Sequence, residues 1–168
     1  KGYLEVVAKL PNAKGSWPAI WMLPTLDRAL NWPLDGEIDI MENVGYDSCK
    51  ILGTIHTKAY NHTINTQKSD STVINTAHQN FHTYAINWTD SILEWYVDSE
   101  LYNRIKRSPN DRIFLVLFAF GFFIVVDSSI AIIDLCDLKN LAANNLPLSV
   151  LKASTFMTMI CNSWPVLN

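Results

Sequence analysis

The sequence predicts an all-β domain, a sandwich of two antiparallel sheets. Three observations carry this. Short segments that alternate apolar with polar side chains recur through residues 1–107, separated by clusters of Gly, Pro, Asn, Asp and Ser. No stretch before Ser108 repeats its apolar residues at the helical period. The alternating segments are also rich in Val, Ile, Tyr, Trp and Phe, which fit a pleated, half-buried surface.

Taken in order, "KGYLEVVAKL" alternates and reads as a strand, and "PNAKGSWP" is a turn cluster. "AIWML" is a short apolar run, followed by "PTLDRALNWPLDG", a loop with two prolines. "EIDIMENV" alternates again, "GYDSCK" turns, and "ILGTIHT" is the next strand. Residues 60–77, dense in Asn, Ser and Thr, read as a long and mostly exposed polar loop. "FHTYAINWT" and "SILEWYVDSELYNRI" are strands parted by a Thr-Asp turn, with a hairpin at Val97-Asp98-Ser99-Glu100. The alternation assigns Val6, Leu10, Ile38, Ile40, Ile86 and Leu93 to the core.

Past Pro109 the character changes. Residues 113–126, "IFLVLFAFGFFIVV", form an unbroken apolar run. It is short of the roughly 20 residues a membrane-spanning helix needs, and extending it brings in Asp127. A buried strand or strand pair is the reading preferred over a membrane helix. Residues 134–168 show no period, motif or repeat.

A chain of 168 residues, 49% hydrophobic and 17% charged, suits one domain with its own core and excludes disorder for most of its length. Net charge is −3 and the densest basic cluster is only "RIKR", so a nucleic-acid footprint is missing. Cys49, Cys136 and Cys161 are widely spaced and follow no metal pattern; at most one bridge is available to them. Asn61-His62-Thr63 and Asn87-Trp88-Thr89 are glycosylation acceptors in a secreted chain. The chain starts at Lys1 with neither initiator methionine nor signal peptide, and reads as a fragment or a processed product.

The informative stretch is "DGEIDIMEN", residues 35–43, with four carboxylates among branched aliphatics. On a helix, positions 37, 39 and 42 lie at roughly 0°, 200° and 140°, sharing no face. On a regular strand Glu37 and Asp39 share a face and Glu42 points to the other. One β-bulge around Ile40 or Met41 brings Glu42 back to their side. Three carboxylates in line can do glycoside hydrolysis: one attacks, one gives a proton to the leaving oxygen, and an acid between them sets the proton balance. The competing readings are a solvated acidic strand face and a calcium site, though the spacing does not match an EF-hand loop. Trp17, Trp21 and Trp32 lie nearby and offer apolar faces for sugar rings, unless they only fill a core.

These segments resemble glycoside hydrolase family 16, most closely its laminarinase-type endo-β-1,3-glucanases. "GYLEVVAKLPNAKGSWPAIWMLP", "DGEIDIMENVG", "GTIHTKAYNH" and "FHTYAINWTDSILEWYVDSELY" follow the family's order and spacing over residues 1–107. Met41, the extra residue in E-I-D-I-M-E, is similar to the laminarinase branch. The resemblance implies that Glu37 is the nucleophile, Asp39 its assisting acid and Glu42 the general acid/base of a retaining double displacement. It places Trp17, Trp21, Trp32 and His56 along a glucan cleft, on a concanavalin A-like jelly-roll β-sandwich. It also implies a secreted, monomeric protein acting on β-glucan, without nucleic acid, membrane or cofactor; a structural calcium ion is an option in the family and is not readable in this sequence.

The departures shape further expectations. "FLVLFAFGF" only faintly echoes the family's late strand, with Phe118 where Asn is usual, and nothing after Gly121 resembles its closing strands. The division expected is a partial catalytic domain, residues 1–112, then an apolar segment and unassigned tail, residues 113–168, of the kind a truncated or misread gene yields. An incomplete sandwich with weak or no activity is expected. The alternatives to the enzyme are a non-catalytic β-glucan-binding module and an inactive fragment; binding-only relatives typically lose the acid triad, and this chain keeps it.

Overall fold

Alternation along each strand puts one set of side chains inside and leaves the other free, and two sheets use it in this chain. A computed structural model describes residues 1–107 apart from 25 and 27, together with the backbone of residues 120–126 and 129–134. Ten strands are described: β1 (Gly2–Ala8), β2 (Ala19–Pro24), β3 (Glu37–Glu42), β4 (Lys50–His56), β5 (Lys68–Val73), β6 (His82–Trp88), β7 (Ile92–Val97), β8 (Glu100–Lys106), β9 (Phe120–Val126) and β10 (Ser129–Asp134). One sheet has the order β1-β6-β7-β8 and the other β10-β9-β2-β3-β4-β5, with every pairing antiparallel. The all-β sandwich expected from alternation is what the chain forms.

The core lies between the sheets. Tyr84, Ile86, Leu93 and Trp95 of the smaller sheet pack with Ile20, Met22, Ile38 and Ile55 of the larger. All six residues assigned to the core by alternation are at most 4% exposed. Burial of such side chains contributes about 1.5–3 kcal/mol each.

Two hydrogen bonds tie the sheets beneath the middle of β3. Trp95 Nε1 on β7 donates to the Asp39 carbonyl at 2.8 Å, and Asn103 Nδ2 on β8 donates to the Gly53 carbonyl at 3.0 Å. Gly53 is fixed by close approach, because a Cβ there would stand 2.5 Å from Trp95 Cδ1 and 2.6 Å from Tyr102 Oη. The β7–β8 hairpin turns at Asp98 (φ 50°) and Ser99 (φ 69°), the left-handed pair that a tight two-residue turn requires.

Residues 60–77 are mostly exposed, but they are not all loop. They contain a 3₁₀ turn (His62–Ile64) and strand β5 at the sheet edge, and Asn61 and Ala77 are buried. "KSDSTV" carries no hydrophobic face to announce a strand; the backbone ladder to β4, from Lys50↔Val73 to Ile55↔Lys68, orders it instead. Asn61 is 2% exposed and its Nδ2, the atom a glycan would need, donates to the Thr57 carbonyl at 3.0 Å. That sequon is closed in the folded chain.

Part of the apolar run forms β9, paired with β2 from Ala19↔Val125 to Pro24↔Phe120 and with β10 on its other side. One strand thus falls within the run and its hairpin partner β10 lies beyond it, and none of the described residues form a helix long and apolar enough to cross a membrane. The burial expected of that run lies outside the described residues, as do residues 113–119 and 135–168 with Cys136 and Cys161. Cys49 is a half-buried free thiol.

Candidate active site

β3 is where the sheet departs from regularity. On the β4 side Asp39 pairs with Thr54 and Glu42 with Leu52, so three steps along β3 match two along β4. On the β2 side the register shifts between Ile20↔Met41 and Trp21↔Asp39. The surplus lies at Ile40 and Met41, opposite Gly53, and both side chains are 1% exposed in the core. Glu37, Asp39 and Glu42 therefore stand on the face of β3 turned away from the smaller sheet. The five-residue spacing needed a bulge, and the bulge falls between Asp39 and Glu42.

Each outer acid has an indole donor. Trp32 Nε1 donates to Glu37 Oε2 at 2.7 Å, and Trp17 Nε1 donates to Glu42 Oε1 at 3.2 Å. Asp39, 2% exposed, has its Oδ2 3.4 Å from His56 Nε2. Trp21 is the β2 partner of Asp39 and is half-buried beside it. Trp17 stays 59% exposed, as a side chain open to a ligand would be. The residues singled out in the sequence thus converge on one patch of one sheet face.

The loop that carries Trp32 is braced from behind. Arg28 donates to both oxygens of Asp35, at 2.8 and 2.6 Å, and the Asn31 N–H donates to the same carboxylate at 2.7 Å. Asp35, the fourth carboxylate of the motif, is held down to about 2, first by Arg28 and then by that N–H. It is a loop brace, outside the line of three acids.

Burial governs the electrostatics. Glu37 is pushed up to about 8 by burial and then by the Asp39 charge, against the opposing pull of His56 and the Trp32 N–H. Asp39 is raised well above the carboxylate range by burial and by Glu42. Glu42 is raised by burial, against the Trp17 N–H, His56 and His62. His56 is lowered by burial, against Glu37 and Glu42. Three neighbouring carboxylates cannot all ionise here, so the group retains a proton near neutral pH. One oxygen or nitrogen from each of Glu37, Asp39 and His56 comes within 4.8 Å of the others. An imidazole and two deeply set carboxylates do not fit the six to eight oxygen ligands of a calcium shell.

One neighbour escaped the sequence reading. His62 stacks on the Trp32 ring with centroids 4.7 Å apart and meets the His56 ring edge-on at 5.1 Å. Its only local signal was Asn61 before it and Thr63 after it, a turn-capping pair that also reads as a sequon.

A family model described as glycosyl hydrolases family 16 matches residues 1–116. The chain is 48% identical over 114 residues to a β-glucanase of Rhodothermus marinus, covering 67% of this chain and 39% of that protein. It is 38% identical over 109 residues to a β-1,3-glucan-binding protein of Penaeus monodon, covering 60% and 30%. Its structure superposes on the laminarinase from Rhodothermus marinus with a TM-score of 0.60 at 47% identity, over 63% of this chain and 43% of that one. The chain thus spans about two fifths or less of the length of these relatives.

Proposed function

The chain belongs to glycoside hydrolase family 16, and on that premise we propose that it carries the catalytic strand of a retaining endo-β-1,3-glucanase. The observation that supports this most is the bulged strand β3, with three acids on one face and a separate donor on each outer one. In this reading the Glu37 carboxylate attacks the anomeric carbon, and the bond from that carbon to the leaving oxygen breaks as Glu42 gives it a proton. Water then attacks the same carbon, returns a proton to Glu42 and frees Glu37. Two inversions give net retention. Carboxylates supply nucleophile and proton, so the reaction as written needs no cofactor.

The nucleophile must be an anion, so the retained proton has to sit elsewhere. Asp39 is the deepest of the three and lacks an indole donor, so burial penalises its anion most. Glu37 has the Trp32 N–H to stabilise its charge. Asp39 as the protonated neighbour of an anionic Glu37 is the arrangement the reading adopts. Trp17, Trp21, Trp32 and His56 would flank the sugar rings. A polysaccharide substrate fits an extracellular, monomeric protein with no nucleic-acid or membrane partner, and mixed-linkage β-glucan is a second candidate.

Glucan binding without hydrolysis is the alternative, since one relative is named for binding alone. The complete acid triad favours hydrolysis. In a form of the protein that hydrolyses laminarin, that substrate paired with an aryl β-glucoside bearing a good leaving group tests the assignment. Glu37→Gln should lose nearly all turnover on both. Glu42→Gln should lose about 10²–10⁴-fold on laminarin yet retain cleavage of the aryl substrate, whose leaving group needs no proton. Asp39→Asn should fall between. Equal loss on both substrates for a folded Glu42→Gln would remove its acid role, and a first-formed α-anomer would rule out retention.

A further inference from the structure

We propose that His62 is a positioning residue of this site: its ring holds Trp32 in the orientation from which the indole N–H bonds Glu37. The inference deepens the hydrolase reading and rests on it for its functional consequence. The stack is close, with ring centroids 4.7 Å apart and planes 33° from parallel. The second contact runs edge-on to His56 at 5.1 Å and 83°. From one imidazole two arms therefore lead to the acids. One passes through Trp32 to Glu37 at 2.7 Å, the other through His56 to Asp39 at 3.4 Å.

A histidine on a polar surface loop would ordinarily be a solvated side chain with many orientations. Here the loop removes that freedom. Asn61 is buried, and its Nδ2 donates to the Thr57 carbonyl at 3.0 Å while its Oδ1 accepts from the Thr63 N–H at 3.1 Å. The Asn61 N–H donates to Thr66 Oγ1 at 3.2 Å, and Thr66 Oγ1 donates to the Ala59 carbonyl at 3.1 Å. Asn65 then closes the turn at φ 54°. The residue between these anchors is His62, delivered onto the ring of Trp32. The Arg28–Asp35 pair braces the Trp32 loop at its base, so the indole is fixed from two sides.

Nuclear magnetic resonance of the indole Nε1–H of Trp32 tests this without turnover. In the wild-type chain cross-relaxation should connect the ring protons of His62 and Trp32, and its absence would overturn the stack. His62→Ala should move the Trp32 indole resonance and speed its exchange with solvent, whereas His62→Phe, which keeps a stacking ring, should restore both. In hydrolysis, His62→Ala should lower kcat on the order of ten- to a hundredfold with a smaller change in KM, and His62→Phe should recover most of it. An unmoved indole in His62→Ala would overturn the proposal. So would a folded His62→Phe as impaired as His62→Ala, since that would mean His62 acts through its polar atoms. Absence of hydrolysis, which an incomplete sandwich would itself produce, would bear on the enzyme reading alone and leave the ring-stack result to decide the proposal.

Discussion

At the scale of single residues, the acids of β3 are costly to the fold, and pH should reveal the cost. Burial raises Glu37 to about 8 against an ordinary 4.5 and raises Asp39 as well, so the pair together retains a proton in the folded chain, the one that the proposed mechanism places on Asp39. Between those values the folded state binds more protons than the unfolded chain. The stabilising contribution is therefore fully present below about pH 4.5 and is lost as pH rises through about 8. Glu37→Gln cannot ionise, so it should be the more stable protein at pH 8, by on the order of 1–4 kcal/mol, while losing catalysis. Urea unfolding of both proteins at pH 4 and pH 8 measures this. Stability differences that do not change with pH would mean that Glu37 is not strained by ionisation.

At the scale of elements, the bulge in β3 depends on what lies under it. Ile40 and Met41 crowd inward opposite Gly53, and Trp95 occupies the space a side chain at 53 would need. Gly53→Ala should force the Trp95 ring aside, costing at least about 1–3 kcal/mol. The same shift should loosen the bond from Trp95 Nε1 to the Asp39 carbonyl, so turnover should fall further than stability alone explains. Thermal melting beside laminarin kinetics at a temperature where the variant stays folded separates the two effects. A fully stable, fully active Gly53→Ala would show that the close packing beneath the bulge is dispensable.

Over the whole molecule, the two sheets are joined under the site by apolar contact and by the two hydrogen bonds from Trp95 and Asn103. Asn103→Ala withdraws the donor from the Gly53 carbonyl, and Trp95→Phe withdraws the one from Asp39. Each should cost about 1–3 kcal/mol, because a buried carbonyl loses its partner. Asp39 and Gly53 flank the same bulge on paired strands, so the double variant should depart from additivity by about 0.5 kcal/mol or more. Denaturant unfolding of the four proteins gives that coupling. Strict additivity would mean that the sheets are pinned at two independent points.

Much of this was legible in the chain, for a physical reason. A strand's period of two is written in residue order, so alternation was enough to find β1, β3, β4 and β6 through β8 and their buried faces. The five-residue gap from Glu37 to Glu42 required a bulge if the acids were to share a face, and the sequence could state that condition before any geometry was known. β5 was not legible, because an edge strand of Lys, Ser, Asp and Thr is ordered by its neighbour's backbone and carries no apolar face. Nor was the part of His62, because its contacts to Trp32 and His56 come from a loop closing over the sheet. Side-chain periodicity is local and survives in the sequence by itself. The electrostatics of three neighbouring acids, the Trp95 and Asn103 bonds between sheets and the stack on Trp32 depend on distances that only the tertiary structure sets.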